Sequence, residues 1–493
     1  MISARRWISG LSLSIVTTVV GITASVTSAQ AVSFVNSLTI PGESTDLLNT
    51  EITGANINRL GFISDLYYDR HSNLYYGVGD RGPGGGVISY KTRVQKFSLD
   101  VDPNTGAISN FNLLDTILFT KNGENFNGLN PTILNGNASI LGLSFDPEGF
   151  AIAPNGNFYV ADEYGPSVYE FSPTGVFIRA FETPANLLPR EADGTLNYTS
   201  GFSTITSGRQ DNRGYEGVTL SPDGSKLFAM MQDPLVDEGS PDGRRSPNLR
   251  LVEFDTVTGQ STAQYIYQLE SLADINSRVP GNTFGANSQG RNIGISAITA
   301  LNDTEFLVLE RDNRGFGVGD PTGETPPVAT KRVYKIDISG ATNVSSNSLA
   351  GLNQLPVDVI PVSKSLFFDI ANLLRSNGEL IAEKMEGLVI GPQLADGSYA
   401  ILVGTDNDFS VTQTGNGEQF NVCTDGSQVA LSLPCPSGST LIPTYLYSFR
   451  ANPEDLRGFV APTKVPEPMT SGGLILLGLS AFWLKRQSKP LQS

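Results

Sequence analysis

Histidine is almost missing from this chain: His71 is the only one in 493 residues, beside two cysteines, two tryptophans and five methionines. One imidazole rules out a histidine-rich zinc centre. His71 falls in a short turn between two alternating stretches, and five or six strand residues at about 3.3 Å each put it roughly 17 to 20 Å from the acidic end of its own hairpin. That distance argues against a Ser-His-Asp triad, and neither a G-x-S-x-G elbow, a Walker loop nor a dinucleotide fingerprint after a strand is present. Positive charge is also scarce. Against 49 Asp and Glu stand 33 Lys and Arg, a net charge of −16, which excludes nucleic acid as a partner and favours cations or ligands bridged by cations. Cys423 and Cys435 lie close together in a polar stretch with no third cysteine and no nearby histidine. In an exported chain they pair as one disulfide rather than bind metal, closing a loop worth about 3 kcal/mol, mostly to local order.

What the chain has in plenty is a repeated phrase: an acidic-glycine step, an alternating strand, a turn of Pro, Asn, Asp and Gly, a second strand, then acids. It reads DPEGFAIAPNGNFYVADEYG from Asp146, YEGVTLSPDGSKLFAMMQDP from Tyr215 and MEGLVIGPQLADGSYAILVGTDND from Met385. Looser copies run from Phe62 and Gly294. Hairpins repeated at long period predict an all-β fold, a β-propeller. The anchors Asp65, Glu148, Glu216, Ser296 and Glu386 are 83, 68, 80 and 90 residues apart, more than the roughly 40 to 50 residues of a four-stranded blade, so long loops are expected. With 52 Gly and 29 Pro the chain is well supplied with turns.

The repeats show five blades in one large domain spanning 32–464. The stretch after Ser33 is expected to close the ring by pairing with TYLYSFRANP near Tyr445. The one helix predicted is SLFFDIANLLRSNG, with Leu366, Ile370, Leu373 and Leu374 on one face and Gly378 as its stop. Inserts at 82–86, 238–246, 280–291 and 315–327 are candidate loops at the channel mouth.

Both ends read as addresses. Arg5 and Arg6 precede an apolar run to about Ala24, and Ala29-Gln30-Ala31 offers a cleavage site, so residues 1–31 are expected to be a signal peptide. At 465–493, Val465-Pro466-Glu467-Pro468 leads into apolar Gly472 to Leu484 and basic Lys485 and Arg486. This resembles the PEP-CTERM sorting signal of Gram-negative bacteria, implying a sorting machinery as partner and a destination in the periplasm, at the cell surface or in the extracellular matrix. A membrane anchor is the alternative, although the apolar stretch is short of the ~20 residues that span a bilayer.

An antiparallel hairpin brings its start and finish to the same end, so a closed ring gathers the acids at one mouth. Glu148, Glu216 and Glu386 are the leading candidates for catalysis and metal binding, with Asp65 in the equivalent place. Asp162, Glu163, Asp233, Glu310, Asp406 and Asp408 form a second layer. Such a set suits Ca2+, which takes six to eight oxygen ligands without histidine. Arg81, Arg213, Arg311, Arg314 and Lys384 stand beside the acids and would hold an anionic substrate, with Arg giving bidentate contacts. Two structural roles fit the same residues: a buried Glu could cap backbone N–H groups of the neighbouring blade, and each cation could neutralise a nearby acid.

NRGYEGVTLSPDGSKLFAMMQDPL, DPEGFAIAPNGNFYVADEYG, ISAITALNDTEFLVLERDNRG and KMEGLVIGP resemble the phytase-like family, described by its esterase-like activity, over roughly Leu38 to Arg450. The resemblance implies a propeller of six blades, a calcium-binding mouth and an ester or phosphate-ester substrate. The chain departs from phytases in lacking a run of closely spaced aspartates and in having no Glu-Gly pair in the copies around Asp65 and Ser296. Those departures count against phytic acid itself. A non-enzymatic, calcium-stabilised propeller that binds exopolysaccharide or another envelope partner is the alternative function.

Overall fold

The computed structural model describes residues 32–48, 56–201, 204–323, 325–415 and 417–463. The expected signal peptide and the PEP-CTERM-like tail lie outside the described residues. Among the described residues no helix is long and apolar enough to cross a membrane.

Five four-stranded antiparallel sheets make up the body among the described residues. Blade 1 runs Asp65–Asp69, Leu74–Val78, Arg93–Val101 and Ile108–Leu118 from the channel outward. Blade 2 runs Pro147–Ile152, Phe158–Asp162, Ser167–Phe171 and Phe177–Ala180. Blade 3 is Tyr215–Leu220, Lys226–Met231, Asn248–Asp255 and Ser261–Gln268, and blade 4 is Ile293–Ala300, Glu305–Asp312, Lys331–Asp337 and Ser363–Asp369. Blade 5 combines Met385–Gln393, Tyr399–Thr405 and Thr444–Ala451 with the N-terminal strand Val32–Ile40. The innermost strands touch in the order of the blades, and that of blade 5 returns to that of blade 1. The ring is therefore closed, and the protein is a β-propeller.

Closure follows the expected route. Val32–Ile40 pairs antiparallel with Thr444–Ala451, Ser37 opposite Tyr447. Between blades the core is apolar and strongly aromatic: Phe119, Phe126, Phe145, Phe150 and Phe171 are all buried and pack together where blades 1 and 2 meet.

The helical expectation is corrected in part. Ser363–Asp369 is the outer strand of blade 4, with Leu366 opposite Tyr334, and only Ile370–Ser376 is helical. Asp369 divides the two, its carboxylate accepting from Asn372 N as an N-cap. Leu366 is half exposed on the strand and contributes no helix face. Sheet pairing with Lys331–Asp337 overrides a pattern that alone fits a longer helix.

The acidic-glycine step has a specific geometry. Blades 2, 3, 4 and 5 each carry a register shift in the innermost strand, flanked by Pro147 and Gly149, Tyr215 and Gly217, Ile295 and Ala297, and Met385 and Gly387. Glu148, Glu216, Ser296 and Glu386 are the extra residues left without a ladder partner. A bulge turns such a side chain away from the regular alternation. The glycine that follows lets neighbouring blades close up: a Cβ on Gly149 would stand 2.7 Å from Val218 N, and one on Gly387 2.6 Å from Leu66 Cβ. In blades 2, 3 and 5 bulge and glycine together put one carboxylate at the mouth, with the inner strands in contact.

Candidate functional site

Glu148, Glu216 and Glu386 line one cavity of about 310 Å³ at the mouth, together with Asp80, Glu163, Asp233 and Glu383. The same wall carries Arg81, Arg213, Arg291, Arg311 and Lys384. Seven carboxylates thus face five cations, an excess of two negative charges in a space lined by buried groups.

Most cations are already engaged. Arg311 reaches Glu386 Oε1 at 2.5 Å and donates from Nε to Ser296 Oγ at 2.6 Å, so the serine of blade 4's bulge holds a cation in place of a carboxylate. Arg213 Nε lies 2.8 Å from Asp233 and its Nη1 3.8 Å from Glu163. Lys384 Nζ lies 2.6 Å from Asp408 and 3.2 Å from Asp406. Arg81 donates to Ser200 Oγ at 2.9 Å and stands 3.2 Å from Asp146 Oδ2 without hydrogen-bond geometry.

The carboxylates remain undercompensated. Glu216 is 2 % exposed, and its Oε2 has no hydrogen-bond partner. Burial first, then the charge of Glu386, push its pKa up to about 8 against the pull of Arg311 and Gln232. Burial, followed by Glu216, Asp146 and Glu163, holds the Glu148 pKa well above the carboxylate range, and Glu163 is raised in the same way. Asp406 rises to about 6, through burial and through Asp408 and Glu386, with Lys384 opposing.

Two groups of three carboxylates bring oxygens within 4.8 Å of one another: Asp80 with Asp146 and Glu148, and Asp80 with Asp406 and Asp408. Asp80 belongs to both and accepts from Gly82 N at 2.8 Å. Its pKa is held well above normal by burial, then Asp406 and Asp146, against Lys384 and Arg81. Local backbone aims the second group. Asp408, Phe409 and Ser410 all have positive φ, 48°, 54° and 57°, a run that β-carbons disfavour. Phe409 holds it in place, 1 % exposed against Tyr90.

Three of the expected metal ligands lie apart from this gathering. Asp65 accepts from Leu66 N at 2.8 Å and from Phe150 N at 2.9 Å, tying blade 1 to blade 2. Asp162 accepts from Asp146 N, Tyr164 N and Gly165 N at 3.0 to 3.1 Å. Glu310 is held by Tyr267 Oη, Glu270 N and Lys364 Nζ at 2.6 to 2.8 Å. Each fills its lone pairs with protein donors, the capping role weighed for the Glu-Gly pairs falling instead on these acids. Arg314 points elsewhere as well, donating to Asn282 O and Pro327 O and stacking 3.7 Å over Phe284.

The candidate site read from the sequence left out four charged residues of the mouth: Asp80, Asp146, Arg291 and Glu383. Asp80 ends the first hairpin as Asp162 ends the second, a signal that was available. Asp146 opens the DPEG phrase two residues before Glu148. Arg291 closes the insert 280–291, and nothing in its spacing marks it. His71, as expected, is exposed in its turn and lines a different cavity, at the other end of the channel. Cys423 and Cys435 form the disulfide, with Cα atoms 5.8 Å apart. They brace a small sheet, Val411–Gln413, Gln419–Val422 and Gln428–Ala430, set beside the Asp408 corner.

The family model for esterase-like activity of phytase matches residues 58–409. The chain belongs to the phytase-like family. Its match ends inside blade 5, between the strands Tyr399–Thr405 and Thr444–Ala451, and takes in every carboxylate at the mouth. A relative described as an uncharacterized secreted protein of Arthroderma benhamiae is 26% identical over 421 residues, covering 71% of this chain and 80% of its own. Among solved structures, regucalcin of Agrobacterium tumefaciens, a calcium-binding protein, is similar at 10% identity and a TM-score of 0.32 over 89% of this chain and 100% of its own. The Cps50 (Swd1) β-propeller domain of Myceliophteria thermophila is similar at 10% identity and a TM-score of 0.26, over 75% and 68%.

Proposed function

We propose that this phytase-like chain is an exported, divalent-cation-dependent hydrolase of esters or phosphate esters that works at the acidic mouth. The observation that carries the reading is the pair of carboxylate groups sharing Asp80, which with Glu148 lines a cavity holding two more acids than cations. Export rests on the signal-like N-terminus and on the relative described as secreted.

The donor set fits Ca2+. All the oxygens are hard, and the partnerless Glu216 Oε2 and the raised Glu148 show buried acid that the protein's own cations do not compensate. Asp80, Asp146 and Glu148, or Asp80, Asp406 and Asp408, would hold the ion. A bound Ca2+ would neutralise the surplus charge and polarise an ester oxygen.

The side chains divide the remaining work. Arg213 lies close enough to Arg291 for its charge, after burial, to lower the Arg291 pKa, and Arg291 donates to Asp211 O at 2.7 Å. Two adjacent guanidinium groups suit a substrate oxyanion. Glu216, with a pKa of about 8, carries a proton at neutral pH and suits donation to a departing alkoxide. Glu386, fixed by Arg311, is placed to take a proton from an attacking water.

The test is calorimetric titration of residues 32–464 with Ca2+, alongside Asp80→Asn, Glu148→Gln, Glu216→Gln and Glu386→Gln, followed by assay of the loaded protein on 4-nitrophenyl phosphate and 4-nitrophenyl acetate. Binding lost in Asp80→Asn together with turnover lost in the Glu variants is expected. Binding without turnover of any ester would transfer the weight to a calcium-stabilised propeller that binds matrix or envelope glycan. Absence of binding would mean that the mouth is structural.

A further inference from the structure

The channel has a second chamber at the end opposite the acidic mouth. It is a cavity of about 320 Å³ to which all five inner strands contribute, through Tyr67, Phe150, Leu220, Ala300 and Ile390 among others. The last described residues close it over. Val460 N donates to Leu301 O and Thr463 N to Pro222 O, both at 2.8 Å, so the chain crosses blades 4 and 3. Phe459 packs edge-on against Tyr399 of blade 5.

Two cations on this wall have no carboxylate within ion-pair distance among the described residues. Arg70 sits among three rings, its guanidinium carbon 5.2 Å from the Tyr68 centroid, 5.9 Å from Tyr399 and 5.0 Å from Phe459. It donates to Ile390 O, its one hydrogen bond among the described residues. Lys96 lies 5.8 Å over Tyr76. The nearby acids are turned to local backbone: Asp69 accepts from His71 N and Ser72 Oγ, and Asp115 from Thr116 N. A concave apolar chamber with a few polar groups at one side is the usual form of a small-molecule site. Here Arg70 and Lys96 share the lining with Asp69 and Asp115 but form no ion pair with them among the described residues, and a guanidinium held among rings keeps its fork preorganised for a planar anion.

We propose that this chamber binds a small aromatic or aliphatic carboxylic acid, its apolar body among Phe150, Leu220 and Ile390 and its carboxylate on Arg70. The site is separate from the acidic mouth and does not depend on hydrolysis there.

The experiment titrates residues 32–464 by calorimetry with 2-naphthoate and with uncharged 2-naphthalenemethanol, which share one ring system. Naphthoate should bind more tightly than the alcohol. Arg70→Leu, which keeps an apolar side chain among the rings, should weaken naphthoate roughly tenfold to a hundredfold and leave the alcohol unchanged. Ala300→Phe, which fills space in the chamber, should weaken both. A folded Arg70→Leu with unaltered naphthoate affinity, equal affinity for the two probes, or no binding of either overturns the proposal. Should Ala300→Phe fail to fold, competition of 2-naphthoate against a decanoate titration replaces it: mutual exclusion supports one chamber, and independent binding overturns it.

Discussion

Two buried acids of similar exposure do opposite jobs, and their partners decide which. Asp65 gives its oxygens to backbone N–H groups of two blades. Asp65→Ala would leave Phe150 N–H buried and unsatisfied, costing about 1–3 kcal/mol. Urea unfolding should show this loss, with a smaller one for Asp65→Asn, while Ca2+ affinity stays unchanged. Glu216 keeps an oxygen without a partner, and its pKa of about 8 makes stability depend on pH. Between the ordinary glutamate value near 4.5 and about 8, the folded state holds a proton that the unfolded state has released. Stability from this group therefore falls as pH rises through that window, and the loss is complete above about 8. In chelator-treated protein Glu216→Gln removes this group's share of the slope. The variant should match the native chain at pH 4 and exceed it at pH 8.5 by on the order of a few kcal/mol, as read from urea midpoints.

At the scale of elements, the N-terminal strand carries the ring. Val32–Ile40 covers Thr444–Ala451, and Phe34 meets Phe449 with ring centroids 5.8 Å apart. A chain beginning after Ile40 would leave Thr444–Ala451 as a bare edge, and exposed edges recruit other chains. Its melting temperature should drop sharply and light scattering should show association at concentrations where the longer chain stays dispersed. Ring closure was legible in the sequence because each hairpin announces itself by alternation and turn residues, and an orphan strand at one end implied an incomplete blade at the other. The Glu-Gly step was legible as a repeat, but its bulge was not, since a register shift depends on the partner strand. Ser363–Asp369 was misread because Leu366, Ile370, Leu373 and Leu374 satisfy a helical period, and only its pairing with Lys331–Asp337 shows the first half to be strand. The mouth was half legible. Glu148, Glu216 and Glu386 share a phrase, and Asp80 and Asp146 stand at the ends of that phrase, whereas Arg291 arrives from a loop path that no local pattern encodes.

At the scale of the whole molecule, a net charge of −16 would make any added salt stabilising to some degree, by screening repulsion between like charges. A site-bound cation behaves differently. It stabilises by RT ln(1 + [L]/Kd), about 2.7 kcal/mol at a hundredfold excess over Kd, and its effect grows with concentration without a matching effect of monovalent salt. Thermal melting in Ca2+ should therefore rise steadily, while NaCl at equal ionic strength gives only a small shift. Asp80→Asn is the decisive variant, because Asp80 alone belongs to both carboxylate groups. It removes one unit from a total of −16, too little to change screening, so loss of the Ca2+ shift in this variant would assign the shift to the mouth. An Asp80→Asn protein that still melts higher in Ca2+ by the native amount would place the stabilising ion elsewhere on the acidic surface and remove the metal from the proposed chemistry.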